Sequence, residues 1–255
     1  MPRQTPSSEP QKSERIAKVM ARAGLCSRRE AERWIEAGRV AVNGKKLDTP
    51  AHTVTDADIV TVDGKPIADK QESKLWRYHK PAGLICSHGD PEGRQTVFEK
   101  MPPDMPRVVS VGRLDYNSEG LLLMTNDGEL ANLLESPKTG WTRKYRVRVH
   151  GSPDPKALAS LEQGVTVSGL RYGPIKAELE TTKDRRAANA WISVALQEGK
   201  NREVRKVMEH LGLNVNRLIR TGYGPFQLGS LPRGGVEEIR RAALRSSLPK
   251  GFRLD

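Results

Sequence analysis

Several residue types that build common kinds of site are scarce in this 255-residue chain. Its two cysteines, Cys26 and Cys86, are too few for a disulfide framework and fit a reducing compartment. The five histidines are scattered, and the closest approach to a metal-ligand pair, Cys86 with His88, is better explained by a loop than by zinc. No glycine-rich phosphate loop follows a strand-like segment. We therefore expect chemistry that uses neither a metal nor another cofactor.

Long apolar runs are also missing. No run approaches the roughly 18 residues that a membrane-spanning helix needs, and the first fifteen residues lack the apolar core of a secretory signal. These patterns predict a cytoplasmic protein that is not embedded in a membrane. What the chain does have is basic charge, with a formal net charge of +12. Such an excess indicates a polyanionic partner or an acidic membrane surface, and it carries no information about the fold.

The first part of the chain divides into a tail, a small module and a linker. Residues 1–12 are polar and contain prolines, so we predict a disordered tail. Residues 13–67 predict two short helices and a few strands. Ser13 is expected to cap the first helix, a capping box at Ser27 to open the second, and Asn43 with Gly44 to form a hairpin turn. Residues 68–73 have the composition of a linker.

Residues 74–240 predict a larger domain. Strand-like segments alternate there with helix candidates, which is typical of an α+β fold with a mixed or antiparallel sheet. The strand candidates are residues 74–87, 107–115, 143–151, 175–182 and 190–199. The helix candidates are residues 128–136, 154–164 and 201–212. Residues 241–255 form a basic C-terminal tail that can extend the cationic surface.

The small module carries a concentration of basic side chains. Helical spacing places Lys18 and Arg22 near one face, opposite Ile16 and Val19. A basic face backed by a small core can bind phosphates, and from composition alone an ordinary solvated surface is equally expected. The candidate RNA-binding residues are Lys18, Arg22, Arg28, Arg29, Lys45 and Lys46.

Asp115 occupies an unusual position. It precedes an unbroken apolar run, Leu121–Met124, so the segment predicts a loop followed by a buried strand. A carboxylate at such a boundary must be paired, hydrogen-bonded or protonated. Arg113 is one candidate partner, and Arg202 and Arg205, expected on one face of a helix, are two others. From spacing alone, a salt bridge that stabilises the fold is favoured over a catalytic role.

Two family resemblances change this balance. The stretch ERIAKVMARAGLCSRREAERWIEAGRVAVNGKKL resembles the RNA-binding domain of ribosomal small-subunit protein S-four, which also occurs in rRNA-modifying enzymes. That resemblance implies that Arg22, Arg28, Arg29 and Lys45 contact the RNA backbone, which positions a protein without reading sequence.

The stretch VGRLDYNSEGLLLMTNDG resembles the signature of bacterial pseudouridine synthases, in the branch that contains the small- and large-subunit rRNA enzymes. KPAGLICS, RKYRVRV, EGKNREVRKVMEHLG and RLIRTGYGPFQLGSLPRGG resemble further family segments in the same order. The resemblance extends from residue 13 to about residue 240 and is greatest to the large-subunit (23S) enzymes. Ser118 stands where threonine is common, which retains a hydroxyl.

The resemblance implies an enzyme that flips a uridine out of ribosomal RNA and isomerises it without a cofactor. Asp115 would be the essential carboxylate, Arg205 its cation, and Tyr145 the ring that stacks on the uracil and helps remove its C5 proton. Arg113, Arg202 and Leu218 would contact the substrate. Without the resemblance, Tyr145 is an ordinary strand residue and Leu218 an ordinary core residue.

Alternatives remain open at this level. The same chemistry on 16S rRNA or tRNA is one, a non-catalytic ribosome-assembly factor is another, and a DNA-binding regulator is favoured by charge alone. We expect a monomer by default.

Overall fold

The computed structural model describes residues 13–69, 71–181, 188–249, 252 and 254. The predicted disordered tail, residues 1–12, lies outside this part of the chain. The protein divides between Glu72 and Ser73 into two compact units. The predicted linker, residues 68–73, ends at this division.

The N-terminal unit combines two helices with short strands. Its helices are α1 (Ile16–Arg22) and α2 (Arg28–Glu36). Its strands are β1 (Glu14–Arg15), β2 (Val40–Val42), β3 (Lys45–Lys46), β4 (Thr53–Val54), β5 (Val60–Val62) and β6 (Lys65–Pro66). β1 pairs with β4, and the other four form a sheet in the order β3-β2-β5-β6.

Local sequence signals explain most of this unit, with one correction. Ser27 accepts a hydrogen bond from the Glu30 backbone N–H at 3.1 Å, and the capping box that opens α2 is confirmed. Asn43 and Gly44 both have positive φ, as a two-residue hairpin turn requires. The predicted cap at Ser13 is wrong, because Glu14 and Arg15 are drawn into pairing with β4 and α1 begins only at Ile16.

A small apolar core holds the N-terminal unit together. Ile16 and Met20 of α1 and Ile35 of α2 are fully buried against Val40 of β2. The apolar positions of both helices thus face this core at helical spacing.

The C-terminal unit is built on a nine-stranded sheet. Its strands are β7 (Leu75–Lys80), β8 (Val109–Val111), β9 (Ser118–Thr125), β10 (Arg143–His150), β13 (Ile175–Leu179), β14 (Asn189–Leu196), β15 (Asn214–Tyr223), β16 (Phe226–Gln227) and β17 (Val236–Glu238), with β11 (Val165–Val167) and β12 (Leu170–Tyr172) forming a separate hairpin. The helices are α3 (Gly128–Glu135), α4 (Pro155–Ser160), α5 (Glu203–His210) and α6 (Arg241–Ser247). Short 3-10 turns lie at Phe98–Lys100, Pro137–Thr139 and Leu161–Gln163.

The main path through the sheet is β13-β14-β10-β15-β9-β7-β17. Among the described strands, β9 and β15 pair in parallel and their neighbours pair antiparallel. The predicted α+β class with a mixed sheet is therefore confirmed. β15, the strand that joins the two halves of the sheet, was not predicted as a strand.

The unbroken apolar run in β9 has a simple explanation. Leu121 and Leu123 enter one core cluster together with α3, whereas Leu122 and Met124 enter a second cluster on the other face. Both faces of the strand are covered, so alternation with polar residues is not required. Gly120 is needed at the start of this strand, because its φ is +102° and a Cβ there would lie 2.2 Å from the Arg220 carbonyl oxygen.

The end of the chain contributes to the core. Residues 241–255 were predicted as a basic tail, but α6 forms in this region and buries Leu244. Lys250 and Arg253 of that tail lie outside the described residues. Within the described part of the chain, no helix is both long and apolar enough to cross a lipid bilayer.

Candidate active site

The C-terminal unit contains a cavity of about 520 Å³. Five of the six residues predicted for the site in this unit line it: Arg113, Asp115, Tyr145, Arg202 and Leu218. Asp115 lies in the loop between β8 and β9, Tyr145 on β10, Leu218 on β15, and Arg202 immediately before α5. The mixed sheet thus brings together side chains that are more than one hundred residues apart in sequence.

Lys80 is the main support of the loop that carries Asp115. Its side chain is completely buried, and its ammonium group donates to the carbonyl oxygens of Pro81, Asp115, Tyr116 and Ser118 at 2.9–3.3 Å. Burial lowers the pKa of Lys80, while the Asp115 charge is among the influences that raise it. One cation therefore fixes the backbone at Asp115, Tyr116 and Ser118.

Two further side chains hold the preceding part of the loop. The Leu114 N–H donates to the Cys86 sulfur at 3.5 Å, and the Cys86 thiol donates to the Leu114 carbonyl at 3.4 Å. Glu135, at the end of α3, accepts a hydrogen bond from the Gly112 N–H at 2.7 Å. The segment from Gly112 to Ser118, here called the Asp115 loop, is thereby fixed from several elements of the unit.

Arg205 completes this support from α5. Its guanidinium donates to the carbonyl oxygens of Asn117 at 3.0 Å and Val215 at 3.3 Å, and the residue is only 7% exposed. Burial lowers the pKa of Arg205, the nearby Arg202 lowers it further, and the Asp115 carboxylate opposes both effects. Arg205 contacts the back of the Asp115 loop.

The predicted helical pairing of Arg202 with Arg205 is wrong. Helix α5 begins at Glu203, and Arg202 precedes it in a left-handed conformation with φ of 52°. This left-handed residue turns the chain just before the helix begins. As a result Arg202 lines the cavity, whereas Arg205 donates to the Asn117 carbonyl of the Asp115 loop.

Asp115 itself is half-buried and lines the cavity. Among the described residues, none donates a hydrogen bond to its carboxylate and no cation approaches it within the 4.0 Å of an ion pair. The fold-stabilising salt bridge favoured by spacing alone is therefore not found in this part of the chain. The charges of Arg205 and Lys80 act on the carboxylate from beyond that distance.

Tyr145 and Leu218 form an apolar part of the cavity wall. Leu218 is 5% exposed and belongs to the core cluster against which the half-buried Tyr145 packs. In the sheet, Tyr145 lies opposite Arg220 of β15. A planar group that enters the cavity would therefore meet an aromatic ring, an aliphatic side chain and a carboxylate.

Sequence reasoning missed several residues of the site. Tyr223 has the guanidinium groups of Arg143 and Arg220 over its ring at 4.9 and 5.1 Å, and all three line the cavity. Arg220 is 3% exposed and donates to the Leu121 carbonyl at 2.7 Å. Lys80 was also missed, although a lysine that continues the buried Trp76–Tyr78 stripe of β7 was a usable signal.

The candidate RNA-binding residues of the N-terminal unit separate into two groups. Lys18 and Arg22 contact the Glu14 carboxylate at 2.7 and 2.6 Å and are largely covered, so they do not form the open basic face that was expected. Arg28, Arg29, Lys45 and Lys46 are exposed. The second group is the part of the predicted surface that is available to a ligand.

The described residues contain no group of three or more His, Cys, Asp or Glu side chains that could hold a metal ion.

Comparison with known families defines the class of protein. A family model described as RNA pseudouridylate synthase matches residues 74–210, and an S4 domain model matches residues 14–60. A crystal structure of a pseudouridylate synthase has the same fold, with a TM-score of 0.64 and 23% identity over 92% of this chain and 99% of that one. The family match and the fold are those of an RNA pseudouridylate synthase.

Individual relatives agree with this class. The chain is 46% identical to an uncharacterized RNA pseudouridine synthase of Rickettsia bellii, over 89% of this chain and 97% of that protein. It is 44% identical to the ribosomal large subunit pseudouridine synthase B of Salmonella typhi, over 89% of this chain and 79% of that protein. The chain belongs to the RNA pseudouridylate synthase family and carries an N-terminal S4 domain.

Proposed function

We propose that this RNA pseudouridine synthase isomerises a specific uridine of large-subunit (23S) ribosomal RNA. The observation that carries this substrate is the 44% identity to the large-subunit enzyme of Salmonella typhi over 89% of the chain. The S4 domain and the net charge of +12 support an RNA of substantial size. Bacterial ribosomal RNA is made in the cytoplasm, so this proposal assigns the enzyme to that compartment.

The reaction breaks the bond between C1′ of ribose and N1 of uracil, rotates the base and joins C1′ to C5. The C5 proton is lost and N1 gains one, so no cofactor is consumed. Asp115 acts either as a nucleophile toward the substrate or as a base toward a ribose proton, and both roles need the ionised carboxylate. Arg205 and Lys80 interact electrostatically with this carboxylate while their side chains hold the loop that carries it.

The cavity wall supports binding of the uracil base. Tyr145 stacks on the ring and Leu218 packs against it, since both line the cavity next to Asp115. Stacking keeps the detached base in place while it rotates. The Tyr145 hydroxyl then assists removal of the C5 proton.

A uridine inside folded RNA is not accessible, so the enzyme extrudes it at a cost of a few kcal/mol in lost stacking. Arg113 and Arg202 are exposed at the cavity and contact the adjacent phosphates. The module of residues 13–67 adds affinity through Arg28, Arg29 and the two lysines of β3. Residues 74–240 carry out the chemistry.

Mapping pseudouridine in the RNA of a strain that lacks this protein tests the proposal. We expect one site in 23S rRNA to disappear, to return with the wild-type gene and to stay absent with Asp115→Asn. A site that disappears from 16S rRNA or tRNA instead would contradict the substrate. A 23S site restored by Asp115→Asn would contradict the role of the carboxylate.

A further inference from the structure

The fold does not explain why the aromatic side chain of Tyr116 is exposed. It is 45% exposed, whereas Tyr78, Tyr172 and Tyr223 are at most 2% exposed. The remaining tyrosine, Tyr145, is half-buried in the cavity wall. Of the two tyrosines that are not buried, Tyr145 therefore lines the same cavity as Asp115, and Tyr116 directly follows Asp115 on the Asp115 loop.

The backbone of Tyr116 is firmly held. Its carbonyl oxygen accepts hydrogen bonds from the Gly83 N–H at 2.8 Å and from the Lys80 ammonium at 3.3 Å. The neighbouring carbonyls of Asp115 and Asn117 are fixed by Lys80 and Arg205. A ring on such a backbone is presented to solvent at a defined distance from the carboxylate, and little conformational entropy is lost when a ligand contacts it.

The surroundings of the ring suit a nucleic acid. The Tyr116 hydroxyl lies near Gly83, where a Cβ would be only 3.9 Å away, and glycine has no side chain to cover the ring. Arg113, two residues before Asp115, is exposed. Arg94 interacts electrostatically with Tyr116, and its guanidinium is paired with the carboxylates of Asp90 and Glu92. Exposed aromatic rings commonly stack on unpaired bases, and basic side chains near them bind the phosphates.

We propose that Tyr116 stacks on a nucleobase directly adjacent in the RNA strand to the extruded uridine. This inference rests on the proposed role of Asp115, because the target sugar must lie against that carboxylate. When the uridine leaves the helix, its neighbours lose one stacking partner. Tyr116, which lies on the Asp115 loop, replaces that partner beside the extruded nucleotide.

Kinetics of matched variants test this inference. The RNA is the one that the wild-type enzyme modifies, whichever class it belongs to, and release of tritium from C5-labelled uridine reports the reaction. A base–aromatic stack is worth about 1–3 kcal/mol, so we expect Tyr116→Ala to lower kcat/KM by about 5- to 150-fold, mainly through KM. Tyr116→Phe keeps the ring and should remain within about twofold of wild type.

A control variant separates stacking from general loss of apolar surface. Leu170 on β12 is also 45% exposed and is not a cavity residue, so Leu170→Ala should leave both kcat and KM unchanged. The thermal unfolding midpoint of Tyr116→Ala should equal that of the wild type, because the ring is exposed. If Tyr116→Ala retains wild-type kcat/KM, or if Tyr116→Phe is impaired as strongly as Tyr116→Ala, the inference is wrong.

Fluorescence gives a direct readout. Aminopurine placed immediately before or after the target uridine is quenched when it stacks. In complexes with the wild-type enzyme one of these two positions should stay quenched, and the same position should become bright with Tyr116→Ala. Equal emission from both complexes at both positions would overturn the proposal. If the wild-type enzyme does not modify 23S rRNA, that result would instead contradict only the proposed substrate.

Discussion

Lys80, Arg205 and Arg220 of the C-terminal unit are at most 7% exposed, whereas Arg28, Arg29, Lys45 and Lys46 of the N-terminal unit are exposed. The buried cations donate to backbone carbonyl oxygens of this protein. The exposed cations are free to meet an external anion. The two units thus use the same residue types for different purposes.

This difference has an energetic basis. Burying an ammonium or guanidinium is costly unless it is hydrogen-bonded, and the carbonyl contacts of Lys80, Arg205 and Arg220 offset part of that cost. An exposed cation contributes little to folding but attracts phosphates in a salt-dependent way. Substitutions in the first set should therefore change catalysis and stability, and substitutions in the second set should change RNA affinity.

The largest effect is expected at the carboxylate of Asp115, whose loop backbone is held by Lys80 and Arg205. Asp115→Asn keeps the shape of the side chain and removes its charge. We expect pseudouridine formation to fall by at least about 100-fold while RNA affinity stays nearly constant. Single-turnover assays and filter binding measure the two quantities. Asp104→Asn, at an exposed position, is the matched control. Wild-type activity in Asp115→Asn would show that the reaction does not need this carboxylate.

Lys80→Met tests the buried set. Methionine fills similar space but cannot donate, so the carbonyls of Pro81 and Ser118 lose the donor that Lys80 provides. We expect the free energy of unfolding to fall by about 2–3 kcal/mol in a denaturant titration. The rate of the bound complex should also fall, because the Asp115 loop loses its support. Lys138→Met, at an exposed position, should change stability by less than about 0.5 kcal/mol.

The exposed set is tested by the double variant Arg28→Ala/Arg29→Ala. We expect weaker RNA binding, and the slope of log affinity against log salt concentration should decrease by about one for each phosphate that the variant no longer neutralises. The rate at saturating RNA should be unaffected. Arg39→Ala provides the control, since Arg39 pairs with Asp63 and stacks on Trp34. An unchanged salt slope in the double variant would show that this surface does not meet RNA.

The smallest effect is expected at Glu14, which binds two cations of the N-terminal unit. Burial raises the pKa of Glu14, but the hydrogen bond from Lys18 and the charges of Arg22 and Lys18 outweigh it, so the pKa is lowered from its ordinary value. A lowered pKa contributes stability that is present above the ordinary carboxyl pKa and is lost as pH falls. Glu14→Gln should therefore cost about 1 kcal/mol at pH 7.

Thermal unfolding at two pH values checks this sign. The difference between Glu14→Gln and the wild type should shrink below the ordinary carboxyl pKa of 4.5. A difference that grows in acid would contradict the ion pairs. The variant also removes the Glu14 carboxylate that pairs with Lys18 and Arg22, so a modest gain in RNA affinity at neutral pH would show that these two residues can also meet RNA.

Parts of this architecture could be predicted because their signals are local. The Ser27 capping box and the Asn43–Gly44 turn depend on a few adjacent residues. The buried strand after Asp115 was evident from its apolar run. In contrast, β15 was missed because Arg217 and Arg220 interrupt its apolar pattern. Those cations are accommodated by Glu119 and by the Leu121 carbonyl, which are about one hundred residues away in sequence.

The candidate site shows the same division. The identity of Asp115 followed from a motif, but its surroundings did not. The contacts of Lys80 with four carbonyls and of the Cys86 thiol with Leu114 cannot be deduced from spacing. Each contact depends on how separate elements meet. Arg202 was misassigned to a helix because its left-handed conformation has no clear sequence signal in a non-glycine residue.

Within the described residues, the side chains that hold the Asp115 loop, those of Lys80, Cys86, Glu135 and Arg205, belong to the unit that begins at Ser73. The contacts that position Asp115 thus come from the C-terminal unit itself. Exchanging the docking module for another RNA-binding fold should redirect the enzyme to a new transcript without any redesign of the pocket, and evolution can exploit the same freedom to diversify targets around one unchanging reaction.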